Sequence, residues 1–82
     1  MYTTYILFSA KINKYYTGHT IDLKRRIEEH NHGKTAFMAS GVPWIIVFTR
    51  AFNSRSEAMK LEDKIKKRGA NRFLNDLEIT VG

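Results

Sequence analysis

Five side chains in this sequence have the types that phosphate chemistry uses: Tyr5 and Tyr16, then Arg26 and His30 four residues apart, then Glu62. A single glutamate can hold Mg²⁺ through one oxygen and leave the rest of the octahedron to waters and phosphate oxygens. Arginine offers a planar fork of donors to a phosphoryl group that is gaining charge. A phenol or an imidazole beside them can accept a proton from water. Each residue alone has an ordinary alternative. Glu62 could sit at the edge of an apolar stripe and pair with Lys66 one turn on, Arg26 could snorkel, His30 could cap a helix, and the tyrosines could be half-buried packing residues. Their coincidence on elements aimed at one sheet is what points to a site that handles a phosphate with a hard metal ion.

The elements that must position them can be read from the pattern. Tyr2 to Phe8 is rich in β-branched and aromatic residues, and Ile12 to Thr17 resumes that character, which predicts an antiparallel hairpin ended by Gly18. Tyr5 and Tyr16 fall on its two strands. Asp22 reads as the N-cap of a helix from Leu23 to about His30 or Asn31, with Gly33 beyond its end. Leu23 and Ile27 form its apolar face, which Arg26 and His30 adjoin, so both are expected to point inward. Lys34 to Pro43 has turn residues and no clean period, and Trp44 to Arg50 then reads as a third strand, apolar enough to be central.

Ser54-Arg55-Ser56-Glu57 is a capping box, in which hydroxyl and carboxylate satisfy each other's backbone N–H groups, and it opens a second helix to about Lys67. Ala58, Leu61 and Ile65 form its buried stripe. At about 100° per residue, Glu62 lies only about 40° from Ala58, an acid on a face that should be apolar. Gly69 stops this helix, and Asn71 to Glu78 adds a short third one. The order β-β-α-β-α-α predicts an α+β fold, a three-stranded, mostly antiparallel sheet flanked by helices, as one domain over residues 1–82.

At 82 residues the chain can bury only about two-thirds of the surface its unfolded form exposes, so an inward-facing polar group is a noticeable cost. The absence of cysteine excludes disulfides, thiolate metal sites and thiol nucleophiles. The longest apolar run, Trp44 to Phe48, is far below the roughly 20 residues of a membrane span, and the N-terminus lacks the layout of a signal peptide. A soluble, cytoplasmic protein with no membrane partner is expected. The net charge of +6 favours a polyanionic partner, and the charge concentrates in Lys24 to Arg26, Lys60 to Arg68 and Arg72. Its ordinary alternative is a set of solvated helix faces.

The same residues carry a resemblance. Tyr5-Ile6-Leu7, Tyr16-Thr17-Gly18, Leu23-Lys24-Arg25-Arg26 with His30 four residues on, and Glu57-Ala58 followed by Leu61-Glu62 together resemble the GIY-YIG nuclease family. The chain is most similar to small stand-alone bacterial members, which are akin to the nuclease domain of excinuclease C. The resemblance runs from Tyr2 to Lys67. It implies that Tyr5 and Tyr16 are the tyrosines of the two named elements, Arg26 the catalytic arginine, Glu62 the metal-binding glutamate, and His30 a histidine used beside that arginine. Thr3-Thr4 stands before Tyr5 where the family has Gly-Ile, and His19 stands where several members have a lysine. The family also has an asparagine about one helix past the glutamate, near Asn71 and Asn75.

The implied activity is hydrolysis of DNA phosphodiesters with one Mg²⁺ or Mn²⁺ ion. The expected partner is DNA, duplex or branched, with a DNA-repair setting and with a second copy or another protein supplying specificity. Glu62 is then the metal ligand, and Tyr5, Tyr16, Arg26 and His30 complete the catalytic set. A phenolate-like Tyr5, made acidic by Arg26 and the metal, or Tyr16 through a water, would activate the attacking water. His19, Lys24, Arg25, Lys60, Lys66, Lys67 and Arg68 are the expected DNA-binding residues. The alternative is a module on the same fold that binds nucleic acid and cuts weakly or not at all. Two other motifs are accidental: His30-Asn31-His32 spells a nuclease motif whose residues lie far apart in sequence, and Gly33-Lys34-Thr35 lacks the first glycine and the strand of a P-loop.

Overall fold

A computed structural model describes residues 1–79 and 81 of the chain. Strand β1 (Tyr2–Ser9) is buried without interruption from Thr4 to Ser9. That leaves it no solvent face, and it is the centre of the sheet. β2 (Lys14–Thr20) pairs with one side of β1 and β3 (Ile45–Phe52) with the other, both antiparallel, giving the order β2-β1-β3. The expected central place of the third strand is therefore corrected: β3 is an edge strand. Its apolar run is spent partly on solvent, with Ile45 53% and Ile46 44% exposed. A second correction concerns Gly18, which does not end the hairpin. β2 runs on through His19 to Thr20, and this decides where His19 points.

Helix α1 (Leu23–Asn31) starts where predicted, with the Asp22 carboxylate accepting the Arg25 N–H at 3.2 Å. The next segment, which lacked a clean period, contains a helix that the pattern did not reveal: α2 (Ala36–Gly41), capped by the Thr35 hydroxyl on the Met38 N–H. Tertiary contacts hold this short helix. The Trp44 indole N–H donates to the Met38 carbonyl at 2.9 Å, and the Asn31 side chain both accepts from and donates to the Trp44 backbone.

Helix α3 (Arg55–Arg68) has the Ser54 cap on the Glu57 N–H, but the Glu57 carboxylate takes the Ser54 hydroxyl rather than its backbone N–H, so the capping box is half formed. Gly69, at φ 91°, is the joint to α4 (Ala70–Asp76), which starts one residue earlier and ends two earlier than expected. A left-handed φ there favours glycine. Arg68 closes the joint with two hydrogen bonds to Asp76 at 2.9 and 3.0 Å.

The helices form two layers on the sheet. On one face Ile6 packs with Leu61, Ile65, Phe73 and Leu74 of α3 and α4. On the other Tyr5 and Leu7 pack with Met38 and Trp44, flanked by Tyr16, Leu23 and Ile27. Among the described residues no helix is long and apolar enough to cross a membrane.

Candidate active site

Period-two alternation assigns the functional residues of the hairpin to opposite faces. Tyr5, Tyr16 and Gly18 belong to the α1–α2 face. Thr4 belongs to the other, where its hydroxyl donates to the Ala58 carbonyl of α3 at 2.8 Å. His19 is the register partner of Thr4 and shares that face. The site is therefore two half-sites that meet around β2, an edge strand.

The first half-site is buried. Tyr5 is 2% exposed, and its Oη lies 3.0 Å from His30 Nε2; His30 Nδ1 lies 2.9 Å from Met38 Sδ. A thioether has no proton to give, so in the neutral ring Nδ1 carries the hydrogen and Nε2 accepts. Tyr5 thus donates to His30. The ring is held neutral because burial, and then the Arg26 charge, push its pKa below the ordinary histidine value, against a smaller opposing effect of Glu29. Burial, above all, pushes the Tyr5 phenol well above the ordinary tyrosine value; Tyr16 adds to this, and Arg26 pulls the other way. Of the two causes expected to make Tyr5 acidic, Arg26 and the metal, Arg26 alone does not suffice: desolvation outweighs it, and Tyr5 donates to His30.

Gly18 makes this possible. A Cβ there would lie 2.7 Å from the Tyr5 Oη and 2.9 Å from its Cζ. Tyr16, half-buried, is the more open phenol, with its ring 4.6 Å from that of His30 and 6.4 Å from that of Tyr5. Arg26 does not point inward as expected. Its side chain is 47% exposed, with a loose contact of 3.8 Å to Glu29, and it stands at the rim of a cavity of about 290 Å³ that Tyr16 and His30 also line.

The second half-site centres on Glu62. Its Oε1 is 2.5 Å from His19 Nδ1 and its Oε2 is 2.6 Å from Lys66 Nζ. Burial works to raise its pKa, but hydrogen bonds from Lys66 and His19 outweigh it and hold the carboxyl below the usual range. These two partners also explain how an acid is tolerated beside the Leu61 and Ile65 stripe. Glu62 opens onto a groove of about 690 Å³ lined by Lys60, Lys66 and Arg55. Among the described residues no three His, Cys, Asp or Glu converge on one point. Such a set does not enclose a metal within protein ligands; Glu62 is a single half-buried carboxylate already hydrogen-bonded to His19 and Lys66.

Shared walls join the half-sites. Lys66 lines both the Glu62 groove and a second one, of about 610 Å³, that holds Tyr16 and Asn71. Tyr16 lines that second groove and the His30 cavity. Arg26 lines the His30 cavity and a small cavity of about 230 Å³ containing His19. The furrows thus form a ring around β2.

Of the expected DNA-binding residues, Lys60 lines the Glu62 groove, while His19 and Lys66 are engaged with Glu62 itself. Lys67 pairs with Asp63, Arg68 with Asp76, and the exposed Arg25 loosely with Glu29. Lys24 is exposed on α1. Asn71 accepts from the Tyr15 hydroxyl at 3.4 Å beside the site, whereas Asn75 is exposed on α4 away from these furrows. Sequence reasoning missed Met38, which sets the His30 tautomer, the clearance role of Gly18, and His19 as a partner of Glu62. Carrying the strand alternation past Gly18 would have found the last.

The family model for the GIY-YIG catalytic domain matches residues 1–75, a span that contains every residue of both half-sites. The chain belongs to the GIY-YIG family. Nuclease-type function follows from membership, with DNA as the implied substrate. Among similar proteins, a UPF0213 protein of Halobacterium salinarum is 46% identical over 54 residues, covering 65% of this chain and 70% of its own length. A UPF0213 protein of Streptococcus agalactiae is 43% identical over 54 residues, and the match spans 61% of its length. The solution NMR structure of the UPF0213 protein BH0048 from Bacillus halodurans superposes with a TM-score of 0.57 at 35% identity, covering 96% of this chain and 87% of that one. This GIY-YIG chain therefore shares its α+β fold with a solved UPF0213 structure.

Proposed function

We propose that this GIY-YIG chain is a metal-dependent endonuclease that hydrolyses DNA phosphodiesters, with its site spread around β2. The observation that carries the reading is the ring of furrows, which gives an open phenol, a guanidinium and a carboxylate access to one polyanion. Glu62 would hold one Mg²⁺ or Mn²⁺ through a single oxygen after His19 or Lys66 yields it. When bound, the ion supplies a Lewis acid for charge on the phosphate.

The chain's own residues do the rest. Tyr16, the open phenol of the furrows, orients the attacking water, and Lys66 and Arg26 on the furrows it lines set positive charge beside the phosphate. Arg26 clamps the phosphoryl oxygens as they gain charge. Tyr5 stays protonated and, with His30, fixes the wall against which Tyr16 rests. Lys24, Arg25 and Lys60 hold the flanking backbone.

A second reading, a module that binds nucleic acid without cutting it, is favoured by one observation: both Glu62 oxygens already have partners. Plasmid, branched and single-stranded DNA incubated with Mg²⁺ and with Mn²⁺ separates the two readings, with Glu62→Gln as control. We expect cleavage by the wild type and at least a hundredfold loss in a folded Glu62→Gln protein, in the range typical for removing an aligned electrostatic group. Full activity in that variant removes the metal site from the reading, and no cleavage by the wild type favours the binding module.

A further inference from the structure

Phe37 is 45% exposed and is the one aromatic among the exposed large apolar side chains of the described residues. Single exposed apolar residues are common on protein surfaces, so exposure alone means little. Its place is what distinguishes it. Phe37 lines both furrows that meet at Tyr16, the one with Arg26, His30 and Lys34 and the one with Lys66 and Arg72. Cationic side chains therefore flank it along both furrows. Behind it the Trp44 ring lies 5.6 Å away, tilted by 44°, and Trp44 is itself 2% exposed and hydrogen-bonded to the Met38 carbonyl. The phenyl ring is thus braced from behind and open in front, with Arg26 and Lys34 sharing Glu29 along one furrow and Lys66 and Arg72 along the other.

We propose that Phe37 is a stacking platform for a nucleobase next to the scissile phosphate, and that the substrate class is DNA with an unpaired nucleotide at that point. This rests on the nuclease reading for the word "scissile" but not for the binding. A base inside a duplex has both faces covered by its neighbours, so it offers nothing to a phenyl ring. A base that is single-stranded or splayed at a branch has a free face, and stacking on an aromatic side chain tolerates any sequence. The flanking lysines and arginines then grip the phosphates on either side, which gives grip without base readout.

The test reads binding with the divalent metal chelated, so catalysis plays no part. A forked oligonucleotide carries the fluorescent base 2-aminopurine as the first unpaired nucleotide, and a blunt duplex with the base paired serves as reference. Wild-type protein is expected to quench the unpaired base and to bind the fork about tenfold or more tighter than the duplex, the range for loss of one stacked base. Phe37→Ala is expected to lose the quenching and bring the two affinities within about twofold, and Phe37→Trp to keep both.

Phe37→Leu keeps apolar bulk against Trp44 without the flat ring, and should behave as the alanine does. Emission of Trp44, the only native tryptophan, checks that α2 remains packed in the alanine and leucine variants. Quenching and fork preference that survive in a packed Phe37→Leu protein overturn the proposal, as does a wild type that binds fork and duplex equally. Cleavage by a wild type that shows no quenching sinks the platform alone. Quenching by a wild type that never cleaves sinks the nuclease reading alone.

Discussion

His30 is a buried imidazole whose two nitrogens are both committed, one to Tyr5 and one to Met38, and this makes it a sensor of acid. Burial first, and Arg26 second, depress its pKa below the ordinary 6.5. The unfolded chain therefore takes up this proton before the folded one does. Its contribution to stability is complete above about 6.5 and is lost as pH falls through the folded value. Urea midpoints measured across that range should fall on the acid side of 6.5 in the wild type, and His30→Gln should flatten the fall; parallel curves for the two proteins would mean that another group titrates. Arg26 and Arg25 give the second test at this scale, since they are adjacent and both near Glu29. Arg26 lines the Tyr16 cavity while Arg25 is 73% exposed on the outside of α1. Lysine keeps the charge but not the planar fork. Arg26→Lys should cut single-turnover cleavage by about 10²–10³, and Arg25→Lys should be nearly silent. Equal, small effects would return Arg26 to the status of a surface charge.

At the scale of elements, the hairpin decides the site because β1 is covered on both faces and β2 is an edge. Gly18 sits where the Tyr5 ring passes beneath β2, and alanine there must push a buried aromatic, not the free end of a flexible chain. Gly18→Ala should therefore destabilise the fold by about 1–3 kcal/mol, as overpacking does, and break the Tyr5–His30 contact. A melt within about 0.5 kcal/mol of the wild type, with unchanged cleavage, would show that β2 moves aside instead. The strands and the long helices were legible in sequence because β-branched runs, the Asp22 and Ser54 caps and the Ala58-Leu61-Ile65 stripe are local signals. The position of β3 was not, since an apolar strand looks alike whether two neighbours or one cover it. Helix α2 was hidden for a related reason: six residues carry too little periodicity, and Trp44 and Asn31 hold it from outside the segment. Of the site, residue types pointed to Tyr5, Tyr16, Arg26, His30 and Glu62. Their division between two faces, and the direction of the Tyr5 proton, depend on register and on Met38, which no spacing rule reveals.

For the whole molecule the question is how much of the positive charge is available to DNA. Fourteen lysines and arginines would give a log–log salt slope of roughly −13 if every one displaced a counterion from a duplex phosphate. The structure argues for far less. Lys66, Lys67 and Arg68 already face Glu62, Asp63 and Asp76, and Lys34, Arg25 and Arg26 share Glu29. The molecule measures 31 × 27 × 17 Å, so only its furrowed side can lie against one stretch of nucleic acid. We expect a slope between about −3 and −5 for duplex binding without divalent metal. The pairing pattern also predicts which residues carry it. Among the described residues Lys60 has no carboxylate partner and lines the Glu62 groove, whereas the Lys67 ammonium is 2.9 Å from Asp63. Lys60→Gln should reduce the slope by about 1, the value for one lost phosphate contact. Lys67→Gln should reduce it by less, because the wild-type lysine must leave Asp63 before it can reach a phosphate. A slope as steep as about −10, or equal losses at the two lysines, would mean that the ion pairs dissolve on binding and that net charge, not the furrows, governs affinity.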